Sequence, residues 1–219
     1  PRISENIRSV QAIFNNALQK FKYNGNYTYC YCTKSSHFSF VMEEALKNEN
    51  VHMETSSAFD IPIVRSLYEK GKLTKDSYIL CNGFKMPLYT QYISELLNDG
   101  FRNCIPILDE MGEFEEYEKN VKTPYSVGIR VAADEEPKFE FYTSRLGIRY
   151  SDILPFYREN IEKSDRATLK MLHFFINTGI KDTAYYWSEL SRFVFKYCEM
   201  KKICNCRVGR ERARRRSDR

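Results

Sequence analysis

The chain is 219 residues long, 42% apolar and 15% aromatic, with sixteen Tyr and fifteen Phe, a composition that can bury a real core and rules out a disordered chain. Its net charge of +5 lies in one place: residues 207–219 hold seven Arg against Glu211 and Asp218, and the residues before them sum to neutral. Basicity confined to a tail argues against a nucleic-acid surface on the folded part, and no run of 18 apolar residues offers a membrane-spanning helix.

Pro1 to Asn6 carries no apolar signal core and no starting Met, which reads as the front of a segment of something longer. Ser4 reads as an N-cap, and Ile7, Val10, Ile13, Phe14, Leu18 and Phe21 follow at helical spacing. Asn24-Gly25-Asn26 stops that helix. A β-rich run over 27–33 and a helix over 37–47 come next. The alternation then repeats: strand 51–55 and helix 58–69, strand 77–81 and helix 87–97, strand 104–108 and an acidic helix over 112–121. A strand over 125–131 is followed by a long connection to 149 and a helix over 151–163. The last pair is a strand over 168–176 and a helix over 182–200. Six strand–helix units after a leading helix predict an α/β fold, a parallel sheet covered by helices. The unit spacing suits a barrel or an open doubly wound sheet, and periodicity does not choose between them.

Five segments carry polar chemistry, each at the end of an expected strand or beside one. Lys34 closes the first strand, and alternation puts Cys30, Cys32 and Lys34 on one face. A Lys at a barrel strand's C-terminal end, its stem partly buried, suits a Schiff-base amine. The bland reading is a strand-end Lys reaching solvent. Glu54-Thr55-Ser56-Ser57 offers a carboxylate and hydroxyls, or simply a helix N-cap to which Asp60 adds capping-box character. Cys81-Asn82-Gly83-Phe84-Lys85 is a polar strand end or a plain β-to-α turn. Ser144-Arg145-Leu146-Gly147-Ile148 brings an Arg able to reach a phenolate or carboxylate oxygen, or a surface Arg. His173, in the run from Leu172 to Gly179, is a site residue or a satisfied core histidine. Polar groups gathered at one end of a parallel barrel would line a single pocket. The seven Cys lack a small-scaffold framework and read as reduced thiols of a cytoplasmic protein. The pairs Cys30/Cys32 and Cys204/Cys206 lack C-x2-C spacing and a His set, so no metal site is expected.

Taken together, these segments resemble the pyridoxal-phosphate (PLP) decarboxylases of the alanine racemase-like barrel group, with the strongest likeness to the biosynthetic arginine decarboxylases, from about Pro1 to Ile203. Tyr31-Cys32-Thr33-Lys34 is similar to the family's Tyr-Pro-Ile-Lys, whose Lys bonds to the cofactor. Glu54 to Ser57 resembles its Glu-Ala-Gly-Ser, Cys81 to Lys85 its Cys-Asn-Gly-Tyr-Lys, Arg145-Leu146-Gly147 its Arg-Leu-Gly, and His173 to Thr178 its His-Phe-His-Ile-Gly-Ser. The resemblance implies an incomplete eight-unit (β/α) barrel. It implies PLP as cofactor, with Lys34 as the catalytic amine and Glu54, Ser57, Asn82, Arg145, His173 and Phe175 around the cofactor. The activity implied is decarboxylation of a small amino acid in polyamine biosynthesis, by a parent that is a dimer or higher oligomer.

Two departures matter. Phe175 stands where the family has a second His, so it can stack but not hydrogen-bond. No Gly-Gly pair is present, and the family's phosphate loop, last two barrel strands and C-terminal β-domain are not matched, so this piece alone is expected to be inactive. The barrel domain is expected over 1–203. Residues 204–219, where Arg abruptly replaces Lys, read as a basic tail that is either not native to the fold or disordered. Two other readings stand beside the decarboxylase: a non-catalytic PLP-binding barrel, and a nucleic-acid-binding protein acting through the basic tail.

Overall fold

The computed structural model describes residues 2–132, 146–175 and 183–217, with side chains as far as Cys204. After helix α1 (Arg2–Lys20) come strand β1 (Tyr29–Cys32), a 3-10 turn (Thr33–Ser35), α2 (Ser39–Ala45), β2 (Val51–Thr55), α3 (Asp60–Glu69), β3 (Ile79–Cys81), α4 (Pro87–Asn98), β4 (Cys104–Leu108) and α5 (Glu113–Asn120). Then follow β5 (Tyr125–Ala132), β6 (Ile148–Arg149), α6 (Tyr150–Glu159), a second 3-10 turn (Ile161–Lys163), β7 (Ala167–Phe174) and α7 (Thr183–Ser217).

Every strand pair is parallel, and β1 through β5 lie side by side in chain order. A doubly wound sheet reverses direction at a switch point; this one runs one way, as a barrel does. The two-residue β6 sits against the end of β5, and β7 pairs along β5 from Tyr125 to Val131. The sheet is curled. The amide of Asn82, just past β3, lies 3.3 Å from the ring of His173 on β7, although β4 and β5 separate those strands. The fold is an α/β partial barrel.

Strand alternation divides the side chains between two cores. Outward residues such as Met53, Ile79, Cys81, Cys104, Val127 and Ile129 pack with the helices in one large cluster. Inward residues Leu80, Ile105 and Ile107 form a smaller one with Cys30, Tyr78 and Met171. Two apolar faces explain why the central strand β4 is buried at every position.

Two expectations need correction. Ser4 is not an N-cap: α1 already runs from Arg2, and the buried Ser4 hydroxyl donates to Glu44 Oε1 at 2.7 Å. The apolar spacing of α1 does not mark a buried face, since only Ile7 of that stripe is buried while Ile13 and Phe21 are 65% and 75% exposed. The helix packs against α2 at its N-terminal end, while further along Gln11 Nε2 donates to the Glu49 carbonyl at 2.8 Å and Phe14 stacks on Tyr27, contacts that leave most of the stripe open. Helix α7 runs across the position of the boundary expected after 203, its backbone helical to Ser217. Arg and Ala are good helix formers, and a run of them propagates a helix already begun.

Candidate active site

The strand ends converge on one mouth. On β1 and β2, Cys32 and Glu54 are register partners. Burial and then the neighbouring Glu54 charge push the Cys30 thiol up to about 12, and the same two causes raise Cys32. Both thiols therefore stay protonated and serve as small apolar wall.

Glu54 Oε1 accepts a hydrogen bond from Asn82 Nδ2 at 3.0 Å, and the same amide nitrogen reaches His173 Nε2 at 3.3 Å. A carboxylate only accepts, so Nδ2 is the donor in both contacts. His173 Nε2 is then the acceptor, which assigns the ring proton to Nδ1. Burial, then the positive charges of Arg130 and Lys85, bring the His173 pKa down to about 4, so the ring is neutral at physiological pH. The C-terminal ends of β2, β3 and β7 thus fix one polar chain across the mouth.

Behind it sits a second set, of which the sequence had singled out Lys85 alone. Arg130, on the inner face of β5, lies 3.6 Å from the Asp109 carboxylate, and its guanidinium stands 5.8 Å over the Phe175 ring. Lys85 and Glu113 form a buried ion pair at 3.5 Å. The signal for Arg130 was available: it is the one charged residue in Tyr125–Ala132, on an inward position of an apolar strand. Asp109 and Glu113 looked like part of an acidic, solvated helix start, and nothing in the spacing marked them as buried.

Lys34 lies in the 3-10 turn past β1, not in the strand, because the strand ends at Cys32 and the Ser36 N–H closes back on the Thr33 carbonyl. Alternation therefore does not put Lys34 on the face of Cys30 and Cys32, as expected. The residue is exposed, and among the described residues nothing hydrogen-bonds or ion-pairs with its amine. Ser57 lies in the β2–α3 turn, its N–H bonded to Asp60 Oδ2 at 3.0 Å. Phe175 is 52% exposed at the end of β7. Arg145 lies outside the described residues, as do Asn177 and Thr178. The structure thus joins Glu54, Asn82 and His173 directly and places Phe175 beside Arg130.

Among the described residues several buried polar atoms in this region have no hydrogen-bond partner: Asn82 Oδ1, His173 Nδ1 and both Asp109 carboxylate oxygens, the last facing Arg130 only at ion-pair distance. Buried polar groups are costly unless paired, so an unfilled set at a strand-end mouth fits a polar ligand. Among the described residues no group of His, Cys, Asp and Glu could hold a metal ion.

No family model matches the chain. Curated relatives do match it along nearly all its length. The biosynthetic arginine decarboxylase of Shewanella woodyi is 25% identical over 213 residues, covering 90% of this chain and 32% of the relative. That of Shewanella sediminis is 28% identical over 217 residues, with the same coverage. Its relatives are biosynthetic arginine decarboxylases. The chain spans about a third of the length of the arginine decarboxylases it matches. Among solved structures, the arginine decarboxylase of Campylobacter jejuni superposes with a TM-score of 0.69 at 19% identity, over 92% of this chain and 33% of that one. Diaminopimelate decarboxylase of Helicobacter pylori gives 0.56 at 16% identity, over 78% and 44%. The fold is that of these decarboxylase barrels, in part.

Proposed function

We propose that the chain is the cofactor-holding barrel of a PLP-dependent amino-acid decarboxylase of the arginine type. The observation that carries this reading is the pairing of an unengaged, exposed Lys34 amine at the end of β1 with the fixed Glu54–Asn82–His173 chain at the same end of the sheet. The strand-end polar set fits the cofactor in kind: an amine free to bond, a neutral imidazole, a carboxylate, and an aromatic face at Phe175.

Bound there, the cofactor supplies an electron sink for the bond to the departing carbon dioxide. The protein's own groups hold and orient. Lys34 supplies the nucleophilic amine. Glu54 orders Asn82, and Asn82 in turn holds the neutral His173 ring with its Nδ1–H free to donate. Arg130 brings positive charge next to the Phe175 face. Ser57 and Arg145 are the remaining candidates, on the likeness of their segments.

A second reading, a PLP-binding barrel without decarboxylase activity, is favoured by one residue: Phe175 cannot hydrogen-bond. In either case the ligand is a small amino acid or its cofactor, and no helix among the described residues is long and apolar enough to cross a membrane. Titrating the chain with PLP while following visible absorbance tests the core of the proposal. A new band in the wild type that is lost in Lys34→Ala is the expected result; equal bands in both proteins would remove Lys34 from the site. Carbon dioxide release from arginine by a full-length protein carrying this segment separates the two readings.

A further inference from the structure

Asp60 opens α3, and its carboxylate is fully buried. Oδ2 accepts from the Ser56 N–H at 2.7 Å, the Ser57 N–H at 3.0 Å and the Thr33 hydroxyl at 2.9 Å. Oδ1 lies 2.8 Å from His37 Nε2. The two backbone contacts are ordinary helix capping. The other two are not, because Thr33 and His37 belong to the preceding strand–helix connection and bracket Lys34 in sequence. Thr33 is itself fully buried, and its carbonyl accepts the Ser36 N–H at 3.1 Å, closing the turn that holds Lys34. A helix cap alone needs neither Thr33 nor His37. A buried carboxylate satisfied on all sides is a rigid anchor, since releasing any donor leaves charge unpaired. Burial alone would raise its pKa, but the Ser56 N–H, His37 and Thr33 outweigh that and keep it below the ordinary carboxylate range.

We infer that Asp60 is a positioning residue for Lys34: through Thr33 and His37 it ties the turn carrying the amine to the start of the next unit's helix, so that the amine is presented at a fixed place in the mouth. The inference rests on the reading of Lys34 as the cofactor-holding amine. Asp60 touches no reacting atom and acts through its two neighbours.

The test uses the 219-residue chain and three variants. Thr33→Val swaps the hydroxyl for a methyl of similar shape and leaves the helix cap untouched. Thr33→Ser keeps the hydroxyl. His37→Gln cuts the other link from the exposed side. Two readouts are taken: amide hydrogen exchange at Ser36, and the rate of reductive pyridoxylation at Lys34, with PLP and cyanoborohydride, relative to the exposed Lys20 and Lys72. Thr33→Val is expected to speed Ser36 exchange about fivefold, the size of one lost net hydrogen bond. It should also slow labelling at Lys34 against the two reference lysines. Thr33→Ser should restore both values, and His37→Gln should reproduce the Lys34-specific loss. A merely structural role for Asp60 would lower thermal stability without changing the Lys34 ratio. Wild-type values for both readouts in Thr33→Val and His37→Gln would overturn the inference. Absence of label from Lys34 in the wild type would instead overturn the cofactor reading, and Ser36 exchange would still judge the turn.

Discussion

The Lys85 ammonium and the Glu113 carboxylate are paired at 3.5 Å with side chains 0% and 4% exposed. Lys85 also donates to the carbonyls of Gly83 and Ile107, and Glu113 Oε2 accepts the Asp109 N–H at 3.1 Å. The ends of β3 and β4 and the start of α5 are thereby tied together behind the mouth. A buried pair of this kind is weak evidence for net stability, but losing one partner strands the other.

That pairing sets a pH dependence. Burial pushes the Glu113 carboxyl up to about 7, against the pull of Lys85. A carboxyl whose folded pKa is raised binds its proton more tightly when folded. Its contribution is therefore fully present below about pH 4.5 and is lost as the pH rises through about 7, by up to about 3 kcal/mol. Glu113→Gln should flatten this slope. Urea midpoints at pH 5 and 8 check it: the fall from 5 to 8 should be smaller in the variant than in the wild type.

His173 works in the opposite sense. Its pKa is lowered to about 4, so the unfolded chain takes up the proton first as the pH drops. The stability linked to the neutral ring is complete above about pH 6.5 and is lost as the pH falls through about 4. Over pH 4.5 to 6.5 this opposes the Glu113 effect, so the two must be read in separate variants. Two-dimensional NMR of the imidazole should show the Nδ1–H tautomer with a midpoint near 4. A midpoint near 6.5 would mean that the Asn82 contact does not hold the ring.

Gly83 has φ +89, and a Cβ there would sit 2.7 Å from the Ser56 carbonyl oxygen. Both the left-handed backbone and the close approach exclude a side chain. Gly83→Ala should cost about 1–3 kcal/mol and weaken PLP uptake with it, because Asn82 is the adjacent residue. Thermal melts and absorbance titration check the two effects together.

Much of this arrangement was legible in the sequence, and the illegible part has physical causes. The strand over 104–108 was marked by a dense apolar run and that over 51–55 by Val51, Met53 and Thr55 alternating with His52 and Glu54, and β4 and β2 have those bounds. Strand β6 was hidden inside a long connection, because two residues carry no periodicity. Glu54, Asn82 and His173 were legible through their strand-end positions, yet their direct hydrogen bonds depend on the curl of the sheet, which alternation does not encode. Arg130 and the Lys85–Glu113 pair are tertiary facts: charges look solvated until a fold buries them. The exposed stripe of α1 shows the converse, since helical spacing of apolar residues says nothing of whether a neighbour covers them.

The strand edges give a further expectation. Among the described residues β1 pairs with β2 alone and β7 with β5 alone, which leaves backbone donors and acceptors open at both ends of the sheet. Together with the exposed Ile13 and Phe21 of α1, this should make the isolated chain self-associate. Sedimentation velocity over a range of concentrations should show growing assemblies; a stable monomer throughout would contradict it.

The most direct test of the account is to incubate the chain with PLP, reduce with borohydride, and map the labelled peptide by mass spectrometry. Stoichiometric pyridoxyl label on Lys34, with other lysines at background, is the predicted result. Label scattered over surface lysines, or concentrated on a lysine other than Lys34, would contradict the claim that the end of β1 is the cofactor-holding centre.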